Sequence, residues 1–429
     1  MGLFIGVELV RDRGTLEAAT NEAGYLARKL KDHKIFVSTD GPLDNVLKIK
    51  PPMCFTLENA DTVCDTLATL LAGLQGRSVT DDGVVCYGAS SKGPPKPALG
   101  SQAIPDMVHA VFGLRCTVIS DLPSYADQNF LVQEEGANNL LVIKISNACE
   151  SAVNLDVQAR AMQFLCDRGI RVQRPVSNTL GDPVSFYGGY HFRGVHHLQG
   201  EVFSSLDEAS QVAPALLADF GVQLAKLDLA LMSFGYPPSL QPESGVWDLK
   251  NSVAVVTENL SFVSRKDLVQ SYVQKFKKYV IDGGILTQLR SSLIHGDAND
   301  HNVLVDRATL SVSGFIDFGD MAESYTINDL AICLAYVAMK ANDPLDVCAQ
   351  VTRAYHSVLP LTDAELQALF PLMCMRLCVS VTMCSKTLAQ NPGDEYISVS
   401  QEGAWRLLED FNLKDFEEVR QYFVTRIAQ

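Results

Sequence analysis

The sequence contains no Cys-x-x-Cys pair, although it carries 11 cysteines; neither a zinc ribbon nor a dithiol redox motif is written in it. An odd number of scattered thiols points to a reducing compartment, and the chain reads as cytoplasmic. Positive charge is scarce as well: 35 basic residues stand against 50 acidic ones, a formal net charge of -15. That balance argues against nucleic acid or an anionic membrane as the main partner and suits a small cationic substrate better. The apolar start meets Glu8, Arg11 and Asp12 too soon for a signal peptide, and Gly6 stands where a myristoylation signal wants Ser or Thr. The longest apolar stretch, 366–383, is interrupted by Pro371 and Arg376, so no membrane span is expected.

What is present suffices for an ordinary core. Of 429 residues, 47% are apolar and 20% charged, and the length allows about two to three domains. Residues 1–77 read as a small α/β unit, with strands at 3–10, 35–38 and 46–50 and amphipathic helices at 20–32 and 58–74. Residues 78–100 shift to Ser, Gly, Asp, Lys and Pro and read as a linker. Strands are then expected at 116–119, 129–133 and 140–145, and a helix at 153–167. Ser205-Leu206-Asp207-Glu208 has the form of a capping box, and Leu217, Phe220, Leu224, Leu227 and Leu231 follow at core-helix spacing. Further helices at 327–339 and 366–387 make the C-terminal part mainly helical, with Cys374 and Cys378 as packing residues.

The chemistry concentrates in one stretch. Two apolar runs, Leu293-Ile294 and 303–305, bracket the polar loop His295-Gly296-Asp297-Ala298-Asn299-Asp300-His301-Asn302, and a third, Phe315-Ile316, ends on Asp317. Three oxygen-bearing side chains therefore sit at the tips of short strands. Phosphoryl transfer asks for that inventory: a carboxylate, Asp297, to orient the acceptor hydroxyl, and hard oxygen ligands, Asn302 and Asp317, for magnesium. The bland alternative is a hairpin with turn-forming Gly, Asp and Asn. Lys144 interrupts an apolar strand and calls for an anion, either a carboxylate or a nucleotide phosphate, unless it lies on an edge strand and faces water. Arg376, the other charge in an apolar run, is either half of an ion pair or a fork for a substrate carboxylate.

The order His-Gly-Asp, Asn, Asp-Phe-Gly resembles the aminoglycoside phosphotransferase and choline kinase branch of the protein-kinase-like fold. The resemblance implies an α+β architecture: a kinase-like N-lobe at 101–199 and a helical C-lobe at 200–429, with the hinge at 190–198. It makes Asp297 the catalytic residue, Asn302 and Asp317 the magnesium ligands, and Lys144, Ser124, Asn129 and Gln158 nucleotide-binding residues for ATP or GTP. Gln158, with Asp156 close by, stands where this fold puts a glutamate to pair with the lysine, which leaves the strength of that pair open. Within this branch, Leu122-Pro123-Ser124-Tyr125, the His-Gly-Asp loop, Ile316-Asp317-Phe318-Gly319-Asp320-Met321, Cys374-Met375-Arg376-Leu377-Cys378 and Asn391-Pro392-Gly393-Asp394-Glu395-Tyr396 resemble the hydroxylysine kinases. These imply a GTP-dependent kinase of 5-hydroxylysine in lysine breakdown, with Asp300, Asp320 and Arg376 as candidate substrate residues. Choline, ethanolamine or aminoglycoside kinases and a non-catalytic relative are the alternatives.

The amino-terminal piece, with Gly2-Leu3-Phe4-Ile5-Gly6-Val7-Glu8 and Asn45-Val46-Leu47-Lys48-Ile49-Lys50-Pro51-Pro52, resembles the small C-terminal domain of class III pyridoxal-phosphate aminotransferases, nearest to phospho-lyases of ethanolamine phosphate and phosphohydroxylysine. No counterpart of the Schiff-base lysine is found, so pyridoxal chemistry is not expected of this chain. Association with a pyridoxal-dependent phospho-lyase is the partner this implies.

Overall fold

Apolar strands and helices with three-four spacing build two compact units, one of residues 1–156 with 175–197, the other of 157–174 with 198–429. The computed structural model describes residues 5–11, 16–52, 54–74, 77–79, 85–87, 97–124, 127–137, 139–146, 150–188, 190–236, 244–390 and 401–429. The stretches quoted above at 2–4, 125 and 391–396, and most of the expected linker, lie outside these.

The first unit begins with β1 (Ile5–Glu8), α1 (Thr20–Asp32), β2 (Ser38–Asp40), β3 (Val46–Ile49) and α2 (Leu57–Leu74). The three strands pair antiparallel in the order β1-β3-β2. The apolar faces of the two helices, through Leu26, Leu30, Leu70 and Leu74, close over Leu47. Ile35 and Val37, expected in a strand, fall before β2. Inside the expected linker, β4 (Arg77–Val79) and β5 (Val85–Tyr87) pair as a hairpin.

After α3 (Ile104–Phe112) come β6 (Cys116–Leu122), β7 (Gln128–Glu134), β8 (Leu140–Ser146), α4 (Ala152–Asp167), β9 (Pro175–Val176), β10 (Ser185–Tyr187) and β11 (Tyr190–His196). They form a sheet in the order β10-β11-β8-β7-β6, with β9 also on β11. One face is apolar: Phe130, Val132, Ile143, Ile145 and Phe192 pack on Val108, Val111 and Phe112 of α3. The other face carries Asn129, Lys144 and Arg193, opposite one another in register. β8 lies inside the sheet, which removes the edge-strand reading of Lys144. Of residues 190–198, expected as a hinge, 190–196 are strand instead, paired with β8 and buried throughout 191–195; the chain leaves the first unit after His197.

The second unit contains β12 (Glu201–Val202), α5 (Glu208–Gln211), α6 (Pro214–Leu231), α7 (Ser252–Asn259), α8 (Lys266–Phe276), β13 (Ser291–Ile294), β14 (Val303–Asp306), β15 (Ser311–Phe315), β16 (Ala322–Tyr325), α9 (Ile327–Val337), α10 (Pro344–Val358) and α11 (Asp363–Gln390), with helices Gln401–Asn412 and Phe416–Ile427 after it. The five apolar residues predicted for the core face of α6 are all buried, each contributing roughly 1.5–3 kcal/mol. A Cβ at Gly221 would stand 2.4 Å from the carbonyl oxygen of Val351, so α6 and α10 approach as closely as only glycine allows. The expected capping box is not formed. Asp207 caps α5 by accepting from the Ser210 N–H at 3.0 Å, whereas Ser205 donates to the Val202 carbonyl.

The helix expected at 366–387 is present and longer, Asp363–Gln390, with Pro371 inside it. α11 runs through the proline as one helix, and its residues 363–389 are long and apolar enough to cross a membrane, but the most apolar window is 89% buried inside the protein. Its N-terminus is fixed by Glu365, which accepts from the Thr362 N–H and takes both prongs of Arg290 at 2.7 and 2.6 Å.

Candidate active site

β13 and β16 pair so that Ile294 delivers His295-Gly296-Asp297 at a strand end. Two consecutive backbone N–H groups there, of His295 and Gly296, donate to the carboxylate of Asp329 at 2.7 and 2.8 Å. Asp329 is fully buried on α9, and pinning the loop offsets the cost of its charge. Burial pushes its pKa up, opposed by His295 and these N–H groups. Gly296 has φ 81°, and a Cβ there would lie 2.0 Å from the Asp320 carbonyl oxygen. The His-Gly-Asp loop thus rests directly on the turn after Asp317.

His295 joins the two loops a second time. Its Nδ1 accepts the Asp297 N–H at 3.3 Å, which leaves Nε2–H to donate to the Ile316 carbonyl at 3.0 Å, and the Phe318 ring packs 4.5 Å away.

The carboxylate of Asp297 is held at both oxygens. Oδ2 accepts from the side-chain amides of Asn299 and Asn302, each at 2.8 Å, and Oδ1 from the Arg376 guanidinium at 2.5 Å. The sequence left Arg376 open between ion pair and substrate fork; the structure contains the ion pair, and its partner is Asp297.

Asn302 spends its amide nitrogen on Asp297, so its carbonyl oxygen is the atom it can offer a cation. Its backbone carbonyl accepts the Ile316 N–H at 2.9 Å, which sets Asp317 beside it at the end of the β14–β15 hairpin. Asp317 is exposed and has φ 60°, a strained backbone for a non-glycine residue, of the kind that collects where a side chain must be aimed. Among the described residues no three His, Cys, Asp or Glu side chains cluster as a metal site. An amide oxygen and one carboxylate, completed by phosphate oxygens, fit the hard, partly hydrated coordination of magnesium.

Gln158, buried, donates to the Gly319 carbonyl at 3.2 Å and so braces the Asp-Phe-Gly turn. Asp300 is half-buried, with Oδ1 lacking a hydrogen-bond partner, and burial raises its pKa. Asp320 is exposed.

In the first unit, Lys144 is half-buried on the polar sheet face, and Asn129 beside it has a buried Oδ1 without a partner. Ser124 donates to the Asp127 carbonyl. The Asp127 carboxylate in turn accepts from Ser146 at 3.1 Å and Arg193 at 3.4 Å.

With this geometry in view, the comparisons with known proteins decide the family. The model of the phosphotransferase enzyme family matches residues 118–364. The chain belongs to that family. A hydroxylysine kinase of Bos taurus is 31% identical over 366 residues, spanning 77% of this phosphotransferase and 95% of the relative. The solved structure of an amicoumacin kinase in complex with AMP-PNP and Ca2+ matches with a TM-score of 0.55 at 16% identity, over 75% of this chain and 97% of that one. The phosphotransferase therefore has the kinase-like α+β fold, and it is a small-molecule kinase acting on a hydroxyl group. Its amino-terminal part is similar to an alanine–glyoxylate aminotransferase 2-like protein of Drosophila melanogaster, 51% identical over 61 residues, 14% of this chain and 12% of that protein.

Sequence reasoning missed Asn299, Asp329 and the rings around Arg376. Asp329 was within reach: a carboxylate in the apolar helix Ile327–Val337 is as costly as Lys144 or Arg376, and the same argument applies to it.

Proposed function

We propose that this kinase transfers the terminal phosphoryl group of GTP to the side-chain hydroxyl of 5-hydroxylysine or a closely similar hydroxy amino acid. The mammalian hydroxylysine kinase, similar over nearly its whole length, supports the acceptor. A nucleotide is the donor, as in the AMP-PNP-bound relative; GTP over ATP follows from the resemblance to the hydroxylysine kinases. The observation that carries the reading is the Asp297 carboxylate bonded to Asn302, whose backbone in turn fixes the strand end that bears Asp317.

Asp297 would accept a hydrogen bond from the acceptor hydroxyl and orient its lone pair for in-line attack. The Asn302 carbonyl oxygen and the Asp317 carboxylate would hold magnesium, which neutralises charge on the phosphates. Lys144, Asn129 and Ser124 would hold the nucleotide, Lys144 as the cation for its phosphates. Asp300, with an unpartnered oxygen, and Asp320 would meet the ammonium groups of the acceptor. The amino-terminal resemblance supports a place beside a pyridoxal-dependent phospho-lyase that consumes the phosphorylated product, and the nine free cysteines among the described residues support a reducing, cytoplasmic setting.

The test is phosphate transfer to 5-hydroxylysine, ethanolamine, choline and an aminoglycoside, each with GTP and with ATP. 5-Hydroxylysine with GTP should exceed the other pairings by at least about tenfold in kcat/KM, the equivalent of roughly 1.4 kcal/mol in transition-state binding. A preference for an acceptor without a carboxylate would overturn the assignment.

A further inference from the structure

Arg376 lies in the middle of α11, and 2% of its surface is exposed. A guanidinium so placed is tolerated only where its partners replace water. Here they do so from several sides. Nη2 donates to Asp297 Oδ1 at 2.5 Å and Nη1 to the Trp247 carbonyl at 3.4 Å. The Trp247 and Tyr336 rings stand 4.9 and 5.4 Å from the guanidinium carbon, where their faces attract a cation. The arginine is thus fixed independently of the carboxylate that it holds.

Asp297, by contrast, sits in a polar loop, and two flexible amides grip only its Oδ2. Without a donor on Oδ1 the carboxylate could turn about its last bond. With Arg376 in place, three donors from a loop and a core helix set the plane of the group. A fork for a substrate carboxylate would need an open edge, whereas only 2% of the arginine is exposed and its Nε, though without a partner, is buried with the rest.

We infer that Arg376 is a positioning residue for Asp297: it fixes the orientation of the carboxylate toward the acceptor hydroxyl and governs turnover, not acceptor binding. This rests on the kinase reading above. A displacement of about 1 Å in a reacting group costs on the order of 10²-fold in rate, so Arg376→Met should lower kcat by about that factor while KM stays within about threefold.

The experiment measures kcat and KM of the full chain for 5-hydroxylysine and for an amino alcohol of similar length without the carboxylate. Rates are normalised to nucleotide-binding sites, and the variants are Arg376→Met, Arg376→Lys and Arg376→Ala. Positioning predicts equal loss of kcat on both acceptors, a smaller loss in Arg376→Lys, and partial recovery of Arg376→Ala on adding millimolar guanidinium. A KM increase confined to the carboxylate-bearing acceptor would make Arg376 a substrate fork and overturn the proposal. Unchanged kcat per site, or loss of the fold in all three variants, would make it a structural strut and overturn it equally. A wild-type chain that phosphorylates no hydroxyl acceptor would refute the kinase reading itself, a result distinct from either of these.

Discussion

Asp228 and Asp329, on α6 and α9, are both fully buried and interact with each other. Two ionised carboxylates cannot share such a site, and their environments decide which one keeps the proton. Asp329 accepts two backbone N–H bonds that favour its charge. Asp228 has only the Tyr355 hydroxyl, at 2.5 Å, and its pKa is raised well above the ordinary carboxyl value by burial and by the charge of Asp329. It therefore keeps its proton beside the charged Asp329, which anchors the His-Gly-Asp loop.

The folded state then binds a proton that the unfolded chain releases above the ordinary carboxyl pKa of 3.8. Stability from this group is full below that value and is lost as pH rises toward the raised one, at about 1.4 kcal/mol per pH unit. Asp228→Asn removes the titration, since the amide can accept from Tyr355 and has no proton to lose. In urea unfolding, the stability of Asp228→Asn relative to wild type should climb as pH rises above the ordinary carboxyl value of 3.8. Asp228→Ala, which strips the buried Tyr355 hydroxyl of its acceptor, should be destabilised by about 1–3 kcal/mol at pH 5. A difference between wild type and Asp228→Asn that stays flat with pH would refute the proton assignment.

Gly296→Ala should damage the loop without touching the chemistry directly. The left-handed φ alone costs about 1–2 kcal/mol, the clash with the Asp320 carbonyl adds to it, and thermal unfolding with a rate assay should show both lower stability and turnover reduced by more than about tenfold. His33, after α1, stacks on His191 at 4.8 Å, and burial lowers the two pKa values to about 4 and about 3. Both rings are neutral when folded, so this contribution is present above the ordinary value of 6.5 and lost as pH falls toward 3. His33→Gln should weaken acid unfolding of the first unit, read by hydrogen exchange at pH 4 and 7, and an unchanged pH dependence would contradict the neutral stack.

Several elements were legible because local pattern decides them. α1 falls at the expected residues 20–32, and α6 buries the five positions that its spacing nominated. The His-Gly-Asp and Asp-Phe-Gly stretches carry enough fixed chemistry to bring Asp297 and Asn302 into contact with Asp317 alongside. What sequence could not give is long-range choice. Arg376 meets Asp297 across 79 residues, and Gln158 meets Gly319 across 161; no local period records such pairs. At Ser205 the local rule misled, because Asp207 is the stronger cap and lies closer to the helix. At Pro371 tertiary burial outweighs the lost backbone bond, so the helix continues.

The most direct test of the account is single-turnover phosphate transfer from GTP to 5-hydroxylysine by wild type and Asp297→Asn. The asparagine keeps the shape but cannot take up charge from the hydroxyl, so the rate should fall by about 10²- to 10⁴-fold with nucleotide affinity unchanged. A rate within about threefold of wild type would contradict the role of Asp297 and the site built around it.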